Sequence, residues 1–148
     1  MSKVKMALVT EELKAKAEIY SGDALCQEKC QFLLKEVGLP NGLLPLKDIL
    51  ECGYVAETGH VWLKQRKKTE HCFKKVGRLV SYGPEITARV EKHRITKLTG
   101  VKAKELLLWV TLTDISFDGE AKVTFHSSTG LYRTFPADAF MAEEDGKE

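Results

Sequence analysis

Ile49-Leu50-Glu51-Cys52-Gly53-Tyr54-Val55, Ala56-Glu57-Thr58-Gly59 and His60-Val61-Trp62-Leu63-Lys64-Gln65 follow one another without a gap, and how they are read decides the fold. The outer two segments are rich in strand-forming residues, and a four-residue link ending in glycine separates them. That pattern predicts a β-hairpin. On its second arm Val61 and Leu63 share one face, while Trp62 and Lys64 share the other.

Downstream the period of two continues. Thr69 to Lys75 alternates weakly through His71 and Phe73. Ile86, Ala88 and Val90 alternate with Glu85, Thr87, Arg89 and Glu91, as in a half-exposed strand. Lys92-His93 turns the chain into a further strand, Arg94 to Leu98. Glu105 to Phe117 carries the strongest signal: Leu106, Leu108, Val110 and Leu112 on one face, Leu107, Trp109, Ile115 and Phe117 on the other. An antiparallel strand apolar on both faces is expected to be covered twice or to border an internal apolar space. Asp118-Gly119 predicts a tight hairpin into Ala121, Val123 and Phe125. Leu131 to Phe135 adds a last strand, and Pro136 opens a final helical turn to Phe140.

Upstream of Asp48 the period is helical. Thr10 followed by Glu11 and Glu12 reads as a helix start, and Leu13, Ala17, Tyr20 and Ala24 keep the spacing. The expected helix spans residues 11–37, with a break near Gly22 and Asp23 capping its second segment. Leu25, Phe32, Leu33 and Val37 form that segment's apolar stripe. Gly38 suits the left-handed cap and Pro40 prevents resumption. Leu39-Pro40-Asn41-Gly42-Leu43-Leu44-Pro45 is then a rigid apolar connector in which Asn41 or Gly42 can take positive φ. The expected fold class is α+β: N-terminal helices packed on a strongly curved antiparallel sheet or open β-barrel of six to eight short strands.

The 148 residues are 43% hydrophobic and 30% charged, the profile of one globular domain able to bury a core. The expected organisation is a tail at 1–9, a domain at 10–141 and an acidic tail at 142–148. No stretch approaches the length of apolar residues a membrane span needs, and Glu11 and Glu12 interrupt the opening before a secretory signal can form. A cytoplasmic protein with reduced thiols is expected. The net charge of +2 is unevenly spread: thirteen Lys and Arg lie between Lys64 and Lys104 against Glu70, Glu85 and Glu91. Such a basic middle suits an anionic partner.

Four groups of residues invite a chemical reading. His126-Ser127-Ser128 is the one place where serine neighbours histidine. No Gly-x-Ser-x-Gly elbow exists, and adjacent strand residues point apart, so no catalytic residues are assigned. Cys26 and Cys30 lie one helical turn apart, with Cys52, His71 and Cys72 elsewhere. The paired spacing of structural zinc sites is missing, so no metal and no cofactor is expected. Trp62 and Trp109 each oppose an aliphatic row; they close a core, the commoner fate, or line an apolar cavity with Leu107 and Phe117. Lys64, Arg66, Lys67 and Lys68 are solvated cations or an attraction for acidic lipid headgroups. Stacking aromatics are not interleaved with these charges, so nucleic acid is not an expected partner.

Several blocks resemble a known plant family. Gly38 to Pro45 is similar to the opening motif of domain-of-unknown-function family 538, as is the run from Gly53-Tyr54 through Val61-Trp62-Leu63-Lys64. Ile95-Thr96-Lys97-Leu98-Thr99-Gly100-Val101-Lys102-Ala103-Lys104-Glu105-Leu106-Leu107-Leu108-Trp109-Val110 is the most distinctive match. With Thr10-Glu11-Glu12 and Thr134-Phe135-Pro136, the chain resembles the subgroup called smaller trichomes with variable branches, over roughly residues 8–141. The resemblance implies a plant source and a β-barrel-like fold likened to the lipid-binding module of bactericidal permeability-increasing protein. Lipid binding and ester hydrolysis have both been suggested for the family, and neither brings a transferable motif. The expectation is a non-enzymatic protein holding a lipid or other amphiphile in an apolar interior with a basic rim that meets an anionic membrane surface. A small carboxylic-ester hydrolase and a protein-interaction domain are the alternatives.

Overall fold

The computed structural model describes residues 17–141. In them nine strands form one sheet: β1 (Glu18–Ser21), β2 (Ile49–Val55), β3 (His60–Gln65), β4 (Thr69–Phe73), β5 (Arg78–Glu91), β6 (Arg94–Glu105), β7 (Leu108–Phe117), β8 (Lys122–Ser127) and β9 (Tyr132–Pro136). Neighbours are antiparallel throughout, in the order β1-β2-β3-β5-β6-β7-β8-β9, with β4 also paired to β5. β1 and β9 do not pair with each other, so among the described residues the sheet stays open. Among the described residues one α-helix, α1 (Asp23–Glu36), packs on β1 and β2, and a 3-10 turn (Ala137–Phe140) follows β9.

The opening hairpin forms as the sequence predicts, with β2 and β3 joined at residues 56–59. β3 and β4 then lie end to end along one edge of β5. β3 pairs with Glu85 to Arg89, and β4 with Arg78 to Tyr82. The interruption falls at Gly83-Pro84, where proline has no N–H for a ladder. The buried Gln65 amide fills the gap: its Nε2 donates to the carbonyls of Tyr82 and Gly83, each at 2.9 Å, while its Oε1 accepts from the Lys47 N–H at 3.3 Å. Shifts of register between β5 and β6 and between β6 and β7 bend the sheet further.

α1 is fixed at both ends. Gly22 takes φ 94 at its start, and the Asp23 carboxylate, instead of capping the helix, accepts the Ile49 N–H of β2 at 2.9 Å. At its end the Leu39 N–H reaches the Leu34 carbonyl and the Gly38 N–H that of Lys35, a Schellman closure with Gly38 at φ 74. Leu39, Leu43 and Leu46 of the connector are buried, and the Tyr82 hydroxyl donates to the Leu43 carbonyl at 2.9 Å. Positive φ occurs at neither Asn41 nor Gly42; the Gly42 N–H instead bonds the Phe140 carbonyl. At the β5–β6 turn His93 docks against the helix end: its N–H donates to Val37 and its carbonyl accepts from Phe117.

Three expectations need correction. Residues 18–21 are strand, not helix. Ile19 and Tyr20 favour extended backbone, and the free edge of β2 supplies partners that local helical spacing cannot reveal. The helix start at Thr10 to Glu12, the leading tail and the acidic tail at 142–148 lie outside the described residues. The apolar stripe of α1 is also rotated: Leu25 and Phe32 are exposed, while Cys26 and Leu34 are buried with Cys30, Leu33 and Val37 beside them. Lastly, Glu105 to Phe117 is not one strand. β6 ends at Glu105, Leu106-Leu107 make a two-residue hairpin loop, and β7 begins at Leu108. The two-faced leucine row is therefore a tip, not a doubly covered strand.

Candidate functional site

A pocket of about 230 Å³ lies between α1 and the sheet. Its helical wall is Cys30, Leu33 and Leu34, a stripe built on i, i+3 and i+4 spacing. Opposite stand Val61, Leu63, Ile86, Ala88, Ile95 and Leu98 from β3, β5 and β6. Cys52 and Tyr20 complete one side. The volume exceeds the ~150 Å³ of an apolar cavity that takes up benzene.

The thiols of this wall behave as small apolar groups. Burial first, and the neighbouring Cys26 second, push the Cys30 thiol up to about 12. Burial likewise raises Cys52, helped by its hydrogen bond to Cys26. Cys26 itself donates Sγ–H to the Tyr20 carbonyl at 3.4 Å. Polar groups gather where the pocket is bordered by Glu18, Lys29 and Glu36. There the Tyr20 hydroxyl donates to Glu18 Oε1 at 2.8 Å, and the Lys29 ammonium sits 4.6 Å above the Tyr20 ring. That rim carries one cation and two carboxylates.

The four residues expected to line a cavity are not brought together. Trp62 borders the pocket and is buried, its indole N–H donating to Glu51 Oε2 at 2.8 Å. Leu107 is at the exposed β6–β7 tip, and Trp109 stands beside it under the Lys104 ammonium. Phe117 packs edge-on against His93, with ring centroids 5.4 Å apart. None of those last three lines the pocket. Nor do the expected anionic-surface residues: Lys64 lies 4.0 Å from Glu51, and exposed Arg66, Lys67 and Lys68 link β3 to β4. The helical wall was within reach of the sequence. Cys26, Cys30, Leu33, Leu34 and Val37 form a helical stripe once cysteine is counted as apolar.

A family model described as a protein of unknown function, DUF538, matches residues 30–141. The chain belongs to the DUF538 family. The match runs from the pocket face of α1 to the end of the 3-10 turn, so nearly all of this DUF538 wall lies within it. No curated protein and no solved structure matches the chain.

In this DUF538 chain His126 and Ser127 diverge. Ser127 is buried, with its hydroxyl bonded to the Leu131 carbonyl and to Thr129, each at 2.9 Å. His126 is exposed and packs on Tyr132. Cys72 is exposed on β4, apart from Cys26, Cys30 and Cys52. Among the described residues no group of three or more His, Cys, Asp or Glu is arranged to hold a metal, and no helix is long and apolar enough to cross a membrane.

Proposed function

We propose that this DUF538 protein is a non-enzymatic binding protein that takes a small amphiphile into the pocket between α1 and the sheet. The observation that carries the reading is the pocket itself: about 230 Å³, walled by aliphatic side chains and neutral thiols, with Glu18, Lys29 and Glu36 at its border. Drug-sized sites run to ~300–1,000 Å³, so this one suits a single ring or one short alkyl tail and not a whole two-chain lipid. The ligand's apolar part is held by contact and desolvation. Its polar end stays at the mixed-charge border, where Lys29 is available to an acidic group.

The same reading includes the likeness to the smaller trichomes subgroup with the plant source it implies, and, independently of that likeness, a cytoplasmic setting. The likeness to a lipid-binding module is part of the same reading. The separation of exposed His126 from buried, hydrogen-bonded Ser127 favours binding over ester hydrolysis. The test is direct: extract the purified protein for mass spectrometry of co-purified amphiphiles, and titrate it with anilinonaphthalene sulfonate. A bound small amphiphile, or saturable fluorescence that a short-chain fatty acid displaces, is expected. A clean protein that gives no saturable fluorescence would sink the proposal.

A further inference from the structure

The β6–β7 hairpin ends in an unusual loop. Leu106 and Leu107 are each 91% exposed, Leu108 is 70% exposed and Trp109 is 37% exposed, four large apolar residues in succession at the tip of two long strands. Leu106 takes φ 53 at the first central position of a two-residue loop, a conformation that glycine or asparagine adopts without strain. Neither folding nor turn geometry accounts for leucine there. Scattered exposed apolar residues are ordinary, but a contiguous apolar point ringed by polar groups marks a contact surface.

The antiparallel register shows what surrounds that point. Phe73 pairs with Arg78, Lys104 with Trp109 and His126 with Tyr132, so the turns β4–β5, β6–β7 and β8–β9 share one end of the sheet. This end carries Lys74, Lys75, Arg78, Lys102, Lys104 and Arg133. Among the described residues its carboxylates are Glu105, held between Arg78 at 2.9 Å and Arg133 at 3.1 Å, Asp138, whose backbone carbonyl accepts from Lys75, and Glu70, level with Lys102 across Ser81. The Lys104 ammonium lies 5.2 Å from the centre of the Trp109 ring. A cationic collar thus stands behind an apolar point with tryptophan at the boundary, the arrangement suited to a bilayer interface with acidic headgroups.

We infer that the Leu106–Trp109 tip inserts into the surface of an anionic phospholipid bilayer, with Lys74, Lys75, Lys102 and Lys104 against the headgroups. This places membrane contact at a different surface from Lys64, Arg66, Lys67 and Lys68, and it does not depend on the pocket. The full chain is mixed with phosphatidylcholine vesicles containing a minor share of phosphatidylserine, and floated. Trp62 is 1% exposed and Trp109 is the other tryptophan, so a blue shift of emission on binding reports the tip. Binding is expected to weaken with salt and with loss of phosphatidylserine. Leu106→Gly combined with Leu107→Ser is expected to weaken it by about tenfold or more, since two large apolar side chains no longer leave water. The thermal midpoint of that variant should hold, because glycine relieves the positive φ. Lys102→Glu with Lys104→Glu should weaken binding while leaving pocket fluorescence unchanged. Wild-type chain that does not float would overturn the inference, as would a tip variant that floats as well as wild type. A tip that mediates only self-association, lost in the same variant without vesicle binding, would overturn it too.

Discussion

Gly53 and Trp62 are cross-strand partners on β2 and β3, and the indole of Trp62 fills the space that a side chain at position 53 would need. Trp62 is thereby buried with its N–H satisfied by Glu51. Gly53→Ala puts a methyl into the ring, and either the ring or β2 must move. Overpacking of this kind costs about 1–3 kcal/mol. The urea midpoint should fall by a corresponding amount without a change in slope. An unchanged midpoint would show that the indole moves freely and that Gly53 is not required by it.

Cysteine reactivity is expected to split sharply. Cys72 is exposed, whereas burial raises Cys30 to about 12 and raises Cys52 as well, and Cys26 is fully buried. Only thiolate reacts with a disulfide reagent or alkylates readily. In the native protein one thiol should be modified quickly, and Cys72→Ser should remove that phase. The other three should react on unfolding. Rapid native modification of two or more thiols in the Cys72→Ser chain would contradict the raised thiols of Cys30 and Cys52.

Stability should decline on mild acidification for a reason carried by two histidines. Burial, then Arg89 and Lys97, lower His60 below its ordinary 6.5; burial, then Lys47 and Lys74, lower His71. The unfolded chain therefore binds more protons than the folded one as pH falls below 6.5. Their contribution is complete above that value and is lost as pH falls through the folded values. Both rings are largely accessible, so the effect is small in magnitude. Urea midpoints measured down a pH series should drop first in this window, and His60→Gln with His71→Gln should flatten that step. A midpoint that rises on acidification through it would reverse the sign. Asp118 acts in a lower window, since three backbone N–H groups from Glu120, Lys122 and Ala121 hold its carboxyl below 3.8.

Hairpins written in turn residues are legible in the sequence itself. Thr58-Gly59, Lys92-His93 and Asp118-Gly119 all sit where turn chemistry predicts chain reversal, with positive φ at Gly59, His93 and Gly119. Leu106-Leu107 is not legible, because an apolar pair lacks turn chemistry and extends the alternation of the strands on either side. The consequence is large, since the most exposed large apolar side chains among the described residues then read as an inner wall. β1 is hidden for another reason: Tyr20 matches helical spacing, and only the β2 edge decides its state. The pocket combines both problems. Its helical wall depends on counting Cys30 as apolar, and its sheet wall on which strands become neighbours of β5.

Ala88 offers the sharpest test of the pocket. It is buried on β5, lines the void, and pairs with Val61, another residue of the same wall. Alanine is the smallest side chain on that wall, so larger residues at this position grow into space the ligand would use. Ala88→Leu should reduce anilinonaphthalene sulfonate binding and Ala88→Phe should abolish it. In a filled core such changes would cost about 1–3 kcal/mol. Here the void of about 230 Å³ accepts the added atoms, so the thermal midpoint should hold or rise. The contrast with Gly53→Ala is informative, because a single methyl there meets an indole while a whole phenyl ring here meets open space. Loss of probe binding with a preserved midpoint would assign the fluorescence to the pocket. A midpoint that falls with side-chain size, with probe binding retained, would mean that the space is not open to a ligand and that the dye reads some other apolar surface.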